Sequence, residues 1–336
     1  MSNISKTIIG IDIGGTKCAV ILGSGTNGKG IEIIDRISFA TEATKGPEHT
    51  ITRIIETIEI IIGKHKLKIS NVSGIGISCG GPLDSNRGVI LSPPNLPGWD
   101  NVEIVDFLKK RFAVPVGIQN DANACALAEW KFGAAQGYSN IVFLTFGTGM
   151  GAGMILDGKL YNGTSDMAGE IGHIRLAEYG PVGYGKSGSF EGFCSGGGIA
   201  QLARMKTLEK LQMGEKVSFC SDIKDLDNID AKMVFDAAKE GDRLALEICD
   251  TVGVYLGKGL SLLIDIINPE IIVIGSIFVR AKDLIWPKAK EIIDRETLWG
   301  ARRVCEVVPA GLGEQIGDYA ALGVAINTEI KNIEIC

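Results

Sequence analysis

Ile11-Asp12-Ile13-Gly14-Gly15-Thr16-Lys17-Cys18-Ala19-Val20-Ile21-Leu22 is an apolar run, a turn of Gly and Thr, and a second apolar run. Leu144-Thr145-Phe146-Gly147-Thr148-Gly149-Met150-Gly151-Ala152-Gly153-Met154-Ile155-Leu156 repeats the pattern far along the chain. Alternating apolar runs joined by such turns read as β-hairpins. Glycine permits positive φ and lets a backbone approach a ligand closely. Successive N–H groups in such turns make anion-binding concavities, to which a Thr hydroxyl adds a donor. A single hairpin of this kind is equally well a tight turn with no ligand. Two of them predict two similar lobes gripping one polyphosphate, and hence the use of ATP.

Around these hairpins the chain alternates strand and helix. Residues 6–40 read as three strands, 48–68 as a helix, and Val72–Cys79 as a buried strand. The prolines and glycines of 80–99 exclude a regular element there. Ile104–Phe112 reads as a helix, Val114–Ile118 as a strand, and Asp121–Trp130 as an Ala-rich helix. Residues 157–198 are loop-rich. Helices follow at Ile199–Gln212, Ala231–Glu240, Arg243–Ile267, Ala281–Thr297 and Asp318–Ile330, with strands at Ile271–Ile274 and Arg303–Val308. The expected architecture is α/β, with two lobes and a cleft between them. Residues 1–120, completed by the terminal helix 318–336, form the first lobe. Residues 121–317 form the larger second lobe.

The 336 residues suffice for two domains. The net charge of −6 offers no basic face for nucleic acid. Met1-Ser2-Asn3-Ile4-Ser5-Lys6 shows no secretory signal, since a strand begins almost at once. The eight cysteines (Cys18, Cys79, Cys125, Cys194, Cys220, Cys249, Cys305, Cys336) show no regular spacing, as expected for a reduced, cytoplasmic protein. The longest apolar run, Leu260–Val279, is broken by Asp265, Asn268, Pro269 and Glu270. It reads as a helix end, a turn and a buried strand rather than a membrane span.

Further segments narrow the reading. Asn95-Leu96-Pro97-Gly98-Trp99, Gln119-Asn120-Asp121-Ala122-Asn123, Gly169-Glu170-Ile171-Gly172-His173, Glu191 with Ser195-Gly196, and Asn268-Pro269-Glu270-Ile271-Ile272-Val273-Ile274-Gly275 follow one another along the chain. Together with the hairpins they make the chain similar to the ROK family of sugar kinases and sugar-responsive repressors, from about Ile9 to Gly323. The resemblance implies a two-lobed, actin-like (RNase H-like) ATPase fold with an interlobe cleft. It also implies phosphoryl transfer from ATP with Mg²⁺, and domain closure around the sugar. Glucose is the first expectation, at its 6-hydroxyl. Fructose, mannose, allose and N-acetylhexosamines stay open. A homodimer formed through the second lobe is implied as well.

On this reading Asp121 is the general base that accepts the sugar hydroxyl proton. The dipeptide alone fits a helix N-cap equally well. Asp12 organises Mg²⁺ through water. Gly14, Gly15, Thr16, Lys17, Gly147, Thr148 and Gly149 meet the phosphates, and Gly275 the adenosine side. Lys17 is also read as a merely solvated cation. The resemblance implies sugar contacts from Gly81, Asn95, Asn120, Asp121, Glu170, His173 and Glu191. In one respect the chain departs from the family, which follows its His with Cys-x-Cys-Gly-x-x-Gly-Cys-x-Glu. Here Val182, Tyr184 and Ser189 stand in the cysteine positions, so no structural zinc is expected. Tyr184 and Phe190 are read as substitutes that hold the loop by packing.

Two other functions compete. One is a sugar-binding regulator that has lost catalysis. The added N-terminal DNA-binding helices of the family's repressors find no room before a first strand near Thr7, which favours the kinase. The other is an actin-like ATPase with a protein partner, which would not need Asn95, Glu170, His173 and Glu191 together.

Overall fold

The computed structural model describes residues 5–26 and 30–335. Met1–Ile4, on which the reading of an absent leader mostly rests, and Cys336 lie outside the described residues. The chain forms two compact units: residues 1–137 with 153–168 and 311–336, and residues 138–152 with 169–310.

In the first unit, β1 (Ser5–Ile13), β2 (Lys17–Thr26) and β3 (Glu32–Ala40) form an antiparallel meander. After α1 (Pro47–Lys64), β4 (Val72–Cys79) pairs parallel to β1. A short hairpin follows, β5 (Leu83–Asp84) with β6 (Val89–Ile90). This corrects the expectation that 80–99 holds no regular element: Leu83, Val89 and Ile90 are buried, and their burial sets a brief pairing between the Pro- and Gly-rich turns. Then come α2 (Ile104–Phe112), β7 (Val116–Asn120) and α3 (Asp121–Phe132). The sheet order is β3-β2-β1-β4-β7.

Strand periodicity sorts the side chains of β1 between two faces. Ile9, Ile11 and Ile13 pack with Ile51, Ile54, Ile58 and Ile61 of α1 and with Ile104, Leu108 and Phe112 of α2. Those α1 positions recur at helical spacing, which is why that helix offers one apolar stripe. Ile8 faces the other way.

The second unit begins with β8 (Ile141–Phe146) and the start of β9 (Met150–Leu156), whose later residues pair with β10 (Lys159–Leu160) in the first unit. Within the second unit β11 (Val182–Gly183), β12 (Lys186–Ser187) and α4 (Phe190–Phe193) build a small subassembly. The helices α5 (Gly196–Gln212), α6 (Ala231–Lys239) and α7 (Arg243–Ile267) follow. Asn268, in the left-handed conformation, ends α7, and the apolar chain continues as β13 (Ile271–Ile274). The helices α8 (Ile277–Glu296) and α9 (Trp299–Arg302) then lead to β14 (Glu306–Pro309). β13 is fully buried between β8 and β14, parallel to both. This is the pattern expected for a strand that reads as a continuous apolar run.

The chain finally returns to the first unit as α10 (Ile316–Ile335). Ile8, Ala19 and Ile21 pack against its Ala321, Leu322 and Ala325. Gly10, Gly76 and Gly117 sit in one row across β1, β4 and β7, each paired with the next. A Cβ on Gly76 would collide with the Ala321 carbonyl and the Ala325 nitrogen, and one on Gly117 with the Thr328 hydroxyl. The row thus lets helix backbone lie directly on strand backbone. The helix α3 groups here too, whereas the sequence expectation set residues 121–137, 153–168 and 311–317 in the second lobe. The buried Glu129 near the end of α3 accepts from Ala134 (2.7 Å), Gly311 (3.1 Å) and Leu312 (3.0 Å) backbone N–H groups, tying α3 to the entry of α10. Among the described residues no helix is long and apolar enough to cross a membrane.

Candidate active site

In the first unit, the turn between β1 and β2 is closed by Gly14 N–H donating to the Lys17 carbonyl (3.1 Å). Thr41 braces it from outside. Its hydroxyl donates to the Gly14 carbonyl (2.6 Å) and its N–H to the Thr16 carbonyl (3.0 Å). Neither Gly14 nor Gly15 adopts positive φ, which corrects one reason given for their presence. The requirement at Gly15 is space, since a Cβ there would lie 2.5 Å from the Asn95 carbonyl oxygen. Thr16 and Lys17 are exposed. The Asn95 loop is anchored by the fully buried Leu96 and Trp99, which leaves Asn95 exposed beside Gly80 and near the exposed Gly81. The turn and this loop therefore meet within one unit.

Asn120 and Asp121 stand where β7 passes into α3. Asn120 is the N-cap: its side-chain oxygen accepts from Asn123 N–H (2.8 Å). Asp121 is the first helical residue, which removes the plain N-cap reading of its side chain. Its carboxylate accepts from Ala122 N–H (2.9 Å). It still reaches solvent, yet the surrounding protein desolvates it and raises its pKa. Asp12, at the end of β1, is pushed from 3.8 to about 6, chiefly by burial, with Asp318 and Asp121 adding repulsion and Arg36 and Lys17 opposing. Arg36 donates through Nε to both Asp318 oxygens at 2.9 Å.

A polar chain backs this junction. Asn123 donates to Gln119 and to Asn162 (3.3 Å each), Asn162 to Ser85 (3.0 Å), and Ser85 to Asp166 from both N–H and hydroxyl (2.7 Å each). Ser85, Asn162 and Asp166 were missed in the sequence reading. They lie in turn-rich stretches where no periodicity marks them.

In the second unit, Gly147 N–H donates to the Gly149 carbonyl (3.1 Å), and Gly196 N–H at the start of α5 donates to the Gly147 carbonyl (2.7 Å). Ser195 caps α5 by accepting from Gly198 N–H (3.0 Å). Thr148 is exposed. A Glu191 oxygen accepts from Met150 N–H (3.0 Å) and would lie 2.9 Å from a Cβ on Gly149. Glu191 therefore braces this turn, a role the sequence did not suggest. Glu170 and His173 flank a short 3₁₀ turn, both exposed. Gly275 N–H donates to the Leu144 carbonyl (2.9 Å), and Ser276 beside it holds φ 51° at the head of α8. A Cβ on Gly147 would lie 3.6 Å from the Ser276 hydroxyl, so the second turn, the head of α5 and Gly275-Ser276 converge. Tyr184 is 83% exposed, yet its ring meets the His173 ring edge-on with centroids 6.3 Å apart, so it packs on that imidazole from the solvent side. Phe190 is fully buried against Gly259.

A profile described as the ROK family matches residues 8–327. The chain belongs to the ROK family. Its fold is accordingly that of the actin-like ATPases, two α/β units in one chain. The glucokinase of Thermotoga maritima is 34% identical over 323 residues, covering 94% of this chain and 96% of that protein. The structure of a ROK family glucokinase from Streptomyces griseus, in complex with glucose and AMPPNP, superposes with a TM-score of 0.72 at 28% identity, covering 95% and 99%. The xylose repressor of Caldicellulosiruptor bescii is 31% identical over 293 residues, covering 87% and 71%. The ROK family thus supplies both sugar kinases and repressors among this chain's relatives, and the glucokinases at this identity support a ROK sugar kinase.

Proposed function

We propose that this chain is an ATP-dependent hexokinase with Asp121 as its general base and glucose as the first substrate to test. The observation that carries the reading is the Asp121 carboxylate at the head of α3, where burial desolvates it and raises its pKa, which strengthens it as a base. The sugar hydroxyl oxygen attacks the γ-phosphorus, the bond to the β–γ bridging oxygen breaks, and ADP leaves. The hydroxyl proton passes to Asp121. Asn95 and Asn120 in the first unit and Glu170, His173 and Glu191 in the second supply the amide, carboxylate and imidazole groups that match sugar hydroxyls. Gly81, with open space around it in the first unit, adds a backbone contact to the sugar. The Gly14–Lys17 and Gly147–Gly149 turns supply backbone donors to phosphate, and Gly275 lines the adenosine side.

Asp12 suits a hydrated Mg²⁺: its carboxyl is held up near 6 by burial and two neighbouring acids, repulsion that a divalent cation would relieve. When bound, the ion neutralises phosphate charge.

Coupled ADP release with Mg-ATP across hexoses and N-acetylhexosamines tests the reading, beside Asp121→Asn. Turnover on one sugar is expected, reduced about 10²–10⁴-fold in the variant with its melting temperature kept. Turnover unaffected by the substitution would remove Asp121 from the mechanism. The repressor relatives favour a second reading, a sugar-binding regulator. Sugar binding by calorimetry without turnover on any sugar would select it.

A further inference from the structure

The family pattern places thiolates at 182, 184 and 189, and the side chains here do not fit zinc. Val182 has no donor, and Tyr184 offers only an exposed phenol whose ring lies edge-on to His173. The buried Ser189 hydroxyl accepts from Gly192 N–H (3.1 Å) to cap α4. Cys194, the nearest thiol in sequence, directs its Sγ to the Val252 carbonyl (3.7 Å), and burial raises its pKa well above the ordinary thiol range. His173 alone cannot make a tetrahedral site.

Two cations instead cross the loop in opposite directions. Lys186, on the returning arm, donates to the His173 carbonyl (2.7 Å). Arg175, on the outgoing arm, donates to the Ser187 carbonyl (2.7 Å). Between them Leu176 and Ala177 N–H groups share the Gly188 carbonyl (2.8 and 3.1 Å), and Phe190 N–H reaches the Ile174 carbonyl (2.8 Å). Gln201 of α5 pins the far end by pairing with both N–H and C=O of Val182 (3.0 and 2.9 Å).

We propose that this pair of reciprocal straps replaces the family's metal, and that Lys186 is a positioning residue for His173. The role in sugar binding rests on the reading of His173 as a sugar contact. His173 closes the 3₁₀ turn Ile171–His173, so its carbonyl is one of the groups a helix end leaves unsatisfied. Fixing that carbonyl fixes the backbone that aims the imidazole. A lysine can do this because a carbonyl needs one donor, not a fork.

The test uses the full chain, with Lys186→Met, Lys186→Arg and Arg175→Met. Elemental analysis should find far less than stoichiometric zinc, and the melting temperature should ignore phenanthroline. Hydrogen exchange across 174–190 should quicken in both Met variants and recover in Lys186→Arg. In Lys186→Met the dissociation constant for the sugar should rise about tenfold while that for nucleotide stays. Stoichiometric zinc, melting lowered by chelator, or parental exchange in both Met variants would overturn the straps. Quickened exchange with parental sugar affinity would overturn the positioning role. A parent chain that binds no sugar would end the kinase reading and the positioning role with it, while zinc content and exchange would still decide the straps.

Discussion

The two Gly-Thr turns share a sequence pattern but are braced by different chemistry. The turn at 14–17 is held by a neutral hydroxyl, Thr41, and crowded by an immobile backbone carbonyl, that of Asn95. The turn at 147–149 is held by a carboxylate, Glu191, together with the Gly196 N–H, and Gly149 is crowded by the tip of the Glu191 side chain. The pattern that marks a turn lies within a few residues, whereas its brace is set by the fold and can come from anywhere. A side chain is therefore harder to admit at Gly15 than at Gly149.

The largest expected effect is Gly15→Ala. The new methyl would lie 2.5 Å from backbone that cannot rotate away, so the turn must shift. ATP-dependent turnover should fall about 100-fold. Gly149→Ala meets a side-chain tip at 2.9 Å that can swing aside by giving up its bond to Met150 N–H, and turnover should stay within about tenfold of the parent. Equal losses in steady-state assays would mean that Glu191 is as immobile as the Asn95 backbone.

Asp12 sharpens the contrast through pH. Its carboxyl titrates at about 6 in the fold against 3.8 ordinarily, so the folded chain holds the proton more tightly than the unfolded chain. Its contribution is neutral below about pH 4. Stability falls as pH rises from 4 to 6, and the penalty, about 1–3 kcal/mol, persists above. Asp12→Asn should therefore melt higher than the parent at pH 7.5, lose that advantage near pH 4, and be poorly active throughout. Calorimetry at both pH values checks the sign. The smallest effect is Thr41→Val, which removes the brace hydroxyl and should cost about 1 kcal/mol of stability by denaturant melts.

Much of this was legible wherever a local signal sufficed. Arg243–Ile267 and Val72–Cys79 form with the bounds that their apolar periodicity suggested. Asp121 falls at the first turn of its helix, but that Asn120 would take the cap was not evident, because both residue types cap well. The Gly14, Gly15, Gly147 and Gly149 turns were found for a partly mistaken reason, since they use room rather than positive φ. Missed altogether were contacts between segments distant in sequence. Glu191 reaches Met150, Lys186 reaches the His173 carbonyl, and Ser85 reaches Asp166, each through a polar side chain whose sequence neighbours give no hint of its partner.

The glycine row on β1, β4 and β7 bears on how the polypeptide emerges from the ribosome. β7 ends at Asn120, and the helix that covers the row starts only at Ile316. Throughout synthesis of the second unit, that face of the sheet stays bare, with backbone rather than side chains at its centre. The first unit to be translated is thus the last to be sealed.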